Sequence, residues 1–180
     1  DQARERSSYI PQREQFVWDC PINVEDVIMM GRYAHWPSVG FPKAGDKAIV
    51  EQVLNKVEMD KYAKRQIRQL SGGQQQRVFL ARALAQESDV YFLDEPFVGV
   101  DAKTERAIFK LMKELKDMGK TLLVVHHDLS MVKDYFDKLI LINQTLIAYG
   151  DSEKVFTPEL INKTYGGRLT MLQKTEELVS

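Results

Sequence analysis

Apolar residues recur along this chain with two periods, and the periods divide it into helices and strands. "NVEDVIMMGRYA" reads as a helix capped at Asn23, with acids in its first turn. Asp46 to Val57 places Ala48, Ile49, Val53, Leu54 and Val57 on one helical face. "LSGGQQQRVFLARALA", residues 70–85, opens on a Ser-Gly-Gly bend and continues in helix formers. Thr104 to Met118 repeats apolar residues at Ala107, Ile108, Leu111, Met112, Leu115 and Met118, and Gly119 stops it. "SSYIPQ" reads as a short strand ended by Pro11. "DVYFLDEP" and "TLLVVHHD" contain continuous apolar runs, as expected of strands covered on both faces. "LSMVKDYF" reads as a short helix, "KLILINQTLIAYG" as a hairpin turning at Asn143 and Gln144, and "TPELINKTYGG" as a short helix with a glycine stop.

The order strand, helix, strand, helix from residue 89 onward predicts an α/β fold with a parallel sheet. In such sheets ligands bind at the carboxyl ends of the strands. The first of these strands delivers Asp94 and Glu95 there, the second His126, His127 and Asp128. Two strands thus aim polar groups at one edge.

Composition changes this picture little. The 180 residues fit one domain with a real core, and a net charge of -1 argues against a nucleic-acid surface. A single cysteine, Cys20, excludes an internal disulfide. No apolar run is long enough to span a bilayer, so a membrane role would come through a partner. The chain opens on "DQARERSSYIPQ" without Met, and its strand pattern has begun by Ser8, which reads as a cut inside a domain. Three segments are expected: about 13–86, about 87–166, and a polar tail at 167–180.

The acid pair suits a site that hydrolyses a phosphate bond. Asp94 can hold magnesium, which prefers hard oxygen ligands, and Glu95 can polarise the attacking water. Taken alone, the pair reads first as a helix cap or solvated loop. His127 can donate to a phosphate oxygen; alone it reads as an ordinary core or surface histidine. Adjacent histidines on an extended chain face opposite ways, so "HHD" is poorly arranged to share one ion. Ser71, Gly72 and Gly73 sit at a helix mouth, where free N–H groups and the positive dipole end favour an anion. Ser71 can equally be a plain N-cap. Yet chance produces "LSGGQ" in such a chain with odds on the order of a few in ten thousand. Gln12 can join a magnesium ligand sphere but means nothing alone. Asp101 looks like a loop cap, and Arg77, one turn into the helix, could simply be solvated.

In order and spacing, these pieces resemble the ATP-binding cassette (ABC) ATPases of membrane transporters. "YIPQ" corresponds to the Q-loop (Gln12), "LSGGQ" to the signature (Leu70, Ser71, Gly72, Gly73 and Gln74), and "VYFLDE" to Walker B (Asp94, then Glu95). "GVD" corresponds to the D-loop (Asp101) and "VVHHD" to the switch histidine (His127). "FVWDCPINVEDVIMMGRY", "LARALAQ" and "LDEPFVGVD" are similar to subunits of the manganese, zinc and iron importer group, with manganese favoured.

The resemblance implies a P-loop NTPase (RecA-like) parallel-sheet core with an inserted helical subdomain at roughly 13–69. It implies ATP and Mg2+ as cofactors. Glu95 would be the general base, Asp94 and Gln12 magnesium ligands, and His127 the group that steadies the γ-phosphate. Two copies would pair head to tail, each signature facing the nucleotide held by its partner. The other partners implied are integral-membrane permease subunits and, indirectly, a metal-binding extracytoplasmic protein, with no nucleic acid. The location implied is the cytoplasmic face of the cell membrane.

One departure is plain. No phosphate loop of the form G-x-x-x-x-G-K-[S/T] occurs in these residues; "GKT" at 119–121 lacks the earlier glycine. In the family that loop precedes the Q-loop, so the first strands and the phosphate loop are expected upstream of residue 1. The chain as given is expected to bind ATP poorly, to be inactive alone, and to be marginally stable or prone to aggregate. Two other readings remain: an ABC-type ATPase of DNA repair or chromosome maintenance, and a non-catalytic docking module. The first is disfavoured by the short, heptad-free stretch between Gln12 and Leu70.

Overall fold

The computed structural model describes residues 6–11, 21–36 and 41–166. Gln12 and Cys20, two residues singled out above, lie outside the described residues, as does the tail from 167. The chain divides into two compact units, Asp1–His127 and Asp128–Ser180.

The first unit is built on a parallel sheet. Strand β1 (Ser7–Ile10) pairs with β2 (Val90–Asp94), which pairs with β3 (Thr121–Val125). Parallel neighbours need crossovers, and helices supply them. Between β1 and β2 run α1 (Val24–Met29), α2 (Ala44–Lys56) and α3 (Gly72–Ala85); between β2 and β3 runs α4 (Ala102–Asp117). The predicted α/β class and parallel sheet are both present. Ile10, Tyr91 and Leu93 converge with Leu80 and Leu84 of α3 and Leu111, Met112 and Leu115 of α4.

The sheet corrects one expectation. Val90–Leu93 and Leu122–Val125 are apolar throughout, yet they are not covered on both faces. Tyr91 and Leu93 are buried, while Phe92, Leu123 and Val125 are exposed. Parallel register aligns Tyr9 with Phe92 and Phe92 with Leu123, so these side chains form one bare apolar band. The opposite face carries the core.

The helices follow their local signals. Asn23 caps α1 by accepting from the Asp26 N–H at 2.9 Å, and a 3-10 turn (Met30–His35) continues it. The buried stripe of α2 is Asp46, Val50, Val53 and Leu54, rather than one running through Ala48 and Ile49. Asp46 turns inward onto three donors: the Lys43 N–H at 2.9 Å and Trp36 Nε1 at 3.2 Å reach Oδ2, and Arg32 Nε reaches Oδ1 at 3.0 Å. The Arg32 guanidinium also donates to the Ala85 carbonyl at 2.6 Å and to Glu87 at 2.7 Å. Helix α4 starts at its cap, Asp101, and adds Thr104 and Phe109 to the expected stripe, while Met118 is exposed.

In the second unit, α5 (Val132–Tyr135) precedes a hairpin of β4 (Lys138–Asn143) and β5 (Thr145–Asp151). The turn is tighter than predicted: Asn143 pairs with Thr145, leaving Gln144 alone at φ +58°. α6 (Ser152–Val155) and α7 (Pro158–Tyr165) follow, and Leu141, Val155 and Ile161 form the buried cluster.

Candidate functional site

Strand β2 ends in Asp94, paired in register with Val125 of β3. The next residues therefore emerge side by side. The Glu95 N–H donates to the Val125 carbonyl at 3.0 Å, and Glu95 Oε1 lies 3.4 Å from Nδ1 of His127. Glu95 holds this position at φ +45°, a left-handed backbone that side-chain-bearing residues seldom adopt. No pattern of residue types signals that strain, since an acid after a strand carries no turn signal.

His126 and His127 do not face opposite ways as expected: both follow the end of β3, and their ring centroids lie 5.6 Å apart. His126 sits edge-on against Phe97, ring centroids 5.1 Å apart, whereas His127 is largely exposed beside Glu95. Asp94 has a neighbour that sequence reasoning missed. Tyr9 Oη of β1 donates to Asp94 Oδ2 at 3.1 Å. Loss of surrounding water, then the hydrogen bond and charge of Asp94, raise the Tyr9 phenol above its ordinary pKa. The only available clue was positional: Tyr9 is on a strand predicted to lie in the sheet, and nothing in the letters placed it beside Asp94.

The signature segment forms the start of α3. Ser71 Oγ accepts from the Gln74 N–H at 3.4 Å, and Gln74 Oε1 accepts from the Ser71 N–H at 2.9 Å. This reciprocal cap satisfies two backbone donors. Ser71 is thus an N-cap, and it remains exposed at the helix mouth. Leu70 is buried, anchoring the mouth from below.

Gly73 is needed for a different reason from anion access. A Cβ built there would lie 2.9 Å from Thr104 Oγ1 and 3.3 Å from Asp101 Oδ2. The mouth of α3 is therefore pressed against the start of α4. Asp101 caps α4, its Oδ1 accepting from the N–H groups of Lys103 at 3.0 Å and Thr104 at 2.9 Å. The Thr104 N–H foremost, then the Thr104 hydroxyl and the Lys103 N–H, hold its carboxyl below the usual carboxylate range. Arg77 is not solvated as it could have been. Its side chain is largely buried and donates to Glu58 at 3.2 Å and to Thr104 Oγ1 at 3.4 Å.

Asp94, the predicted ligand among the described residues, offers carboxylate oxygen, the donor chemistry that magnesium takes from proteins, usually from one or two residues while water and phosphate complete the shell. The donor set fits that ion. Gln12, the other predicted ligand, lies outside the described residues.

Residues 1–98 match the ABC transporter family. This chain belongs to the ABC transporter family. Over 179 residues it is 55% identical to the manganese transport system ATP-binding protein MntB of Halalkalibacterium halodurans, covering 98% of this chain and 71% of that protein. Over 167 residues it is 51% identical to the zinc transport system ATP-binding protein TroB of Treponema pallidum, covering 93% of this chain and 63% of that protein. Among solved structures, it is similar to a metal-chelate type ABC transporter in an inward-facing conformation. That match has a TM-score of 0.78 at 27% identity, over 89% of this chain and 64% of the other. The chain thus spans about two thirds of the length of these relatives. An ABC ATPase has the P-loop NTPase fold, and the parallel sheet with its crossover helices is this chain's share of it.

Proposed function

We propose that this ABC chain belongs to an ATP-hydrolysing subunit that drives import of a divalent metal cation through a membrane permease, with manganese the favoured cargo. The observation that carries the reading is the meeting of Glu95 and His127, 3.4 Å apart at the ends of adjacent parallel strands, with Asp94 one residue away. The metal reading draws on the names of the manganese and zinc relatives, and the manganese relative has the higher identity of the two.

Each residue then has a part. Glu95 accepts a proton from the water that attacks the γ-phosphate. His127 faces Glu95 through Nδ1, which leaves Nε2 for a phosphate oxygen. Asp94, with Gln12, would hold magnesium, which supplies charge neutralisation at the transferring phosphate. Tyr9 restrains one oxygen of Asp94. At the mouth of α3 the cap takes the N–H groups of Ser71 and Gln74, and those of Gly72 and Gly73 are the ones offered to a phosphate held by a second copy. The subunit works on the cytoplasmic face of the membrane, docked to its permease.

The test is Glu95→Gln in the protein as its gene encodes it, assembled with its permease. We expect hydrolysis of Mg-ATP to fall about 10²-fold or more, with ATP binding retained. Hydrolysis that ignores the substitution would remove Glu95 as the base, and no hydrolysis by the unsubstituted protein would favour a docking module. Uptake of radioactive manganese, competed by zinc and iron, decides the cargo.

A further inference from the structure

The helix that opens on the signature and the acid of the D-loop, far apart in sequence, are joined in this structure by one hydroxyl. Thr104 is buried, at 3% exposure, in the first turn of α4. Its Oγ1 accepts from Arg77 Nη2 of α3 at 3.4 Å and donates to Asp101 Oδ2 at 3.1 Å. A threonine hydroxyl has one proton and two lone pairs, so it can serve both partners at once. The same oxygen is the atom that a Cβ at Gly73 would strike. Arg77 extends the line to Glu58, just beyond the end of α2. Lys56 Nζ and Glu114 Oε2, 3.0 Å apart, tie the end of α2 to α4 as well.

We propose that Thr104 is a positioning residue: with Arg77 it holds the signature mouth and the Asp101 loop of one subunit in a fixed relation, and the Arg77–Glu58 ion pair ties both to the segment after α2. The inference rests on the ATPase reading above. It differs from simple capping, because the two N–H bonds to Asp101 Oδ1 that cap α4 do not involve the Thr104 hydroxyl. Thr104→Val keeps the size and the cap but removes the donor to Asp101 Oδ2 and the acceptor for Arg77.

The experiment measures steady-state Mg-ATP hydrolysis by the whole protein with its permease for Thr104→Val, Thr104→Ser, Arg77→Lys and the Thr104→Val/Arg77→Lys pair. We expect kcat to fall about tenfold in Thr104→Val and in Arg77→Lys, with KM for ATP within about twofold. Thr104→Ser should restore kcat, and the double variant should be no worse than the poorer single one. Normal kcat in Thr104→Val, failure of serine to rescue, or multiplicative losses in the pair overturn the proposal. Should Thr104→Val fail to fold, Arg77→Lys decides alone, because lysine keeps the charge toward Glu58 but not the fork that also reaches Thr104; normal kcat there overturns it. An unsubstituted protein that hydrolyses no ATP overturns the ATPase reading and this proposal together, and is distinguished by needing no variant to reveal it.

Discussion

Asp101 shares three hydrogen bonds between two oxygens, and the division separates structure from coupling. Oδ1 caps α4 through two N–H groups, while Oδ2 receives the Thr104 hydroxyl. Because its pKa is lowered in the fold, the charged cap contributes stability above the ordinary carboxylate value, near about 4. That contribution is lost as pH falls through the lower folded value. An asparagine side chain caps equally well without a charge. We therefore expect the thermal midpoint to drop more steeply on acidification for the unsubstituted protein than for Asp101→Asn. Parallel curves would show that the carboxylate charge adds nothing. The cap itself was legible, since an Asp before a run of helix formers is a start signal. The part played by Thr104 was not. In sequence it is one more polar residue in a first turn, and its partner Arg77 belongs to another helix.

Helices show the same limit from the opposite side. Periodicity placed α1, α2, α3 and α4 correctly, but it ranked faces by apolar letters alone. It therefore chose Ala48 and Ile49 over Asp46, a charged residue that the fold buries against Arg32. Arg32 is 6% exposed, and its bond to the Ala85 carbonyl joins the turn after α1 to the end of α3. Backbones approach closely there: a Cβ on Gly31 would lie 2.1 Å from the Arg82 carbonyl oxygen. Without Arg32, Asp46 keeps the Lys43 and Trp36 N–H donors but has lost its buried counter-charge. Arg32→Ala should lower unfolding free energy by about 3 kcal/mol or more, measured by urea denaturation. A loss under about 1 kcal/mol, the scale of a surface pair, would mean that the Lys43 and Trp36 donors suffice for Asp46.

At the scale of the molecule, the α/β class and the parallel strand ends were legible because two apolar runs each finished in polar residues. Coverage was not legible. A run apolar on both faces records what each face is suited to touch, and within these residues Tyr9, Phe92, Leu123 and Val125 are 38–60% exposed. Within the second unit, Ile140, Ile142, Leu146 and Tyr149 are similarly exposed. Such bands favour self-association. The 180 residues also contain no Gly-x-x-x-x-Gly-Lys-Ser/Thr loop to cradle phosphates. Titration calorimetry of this chain alone should therefore show no saturable ATP binding at micromolar nucleotide. Stoichiometric micromolar binding would show that the signature, Walker B and switch residues hold nucleotide unaided.

Glu95 has a consequence for anyone who improves this protein in the laboratory. Its left-handed backbone, at φ +45°, is one that glycine or asparagine enters more readily. A library screened only for heat resistance should therefore enrich those residues at position 95. The most robust clones would be the ones that had discarded the proposed base, so such a screen must be paired with selection for turnover.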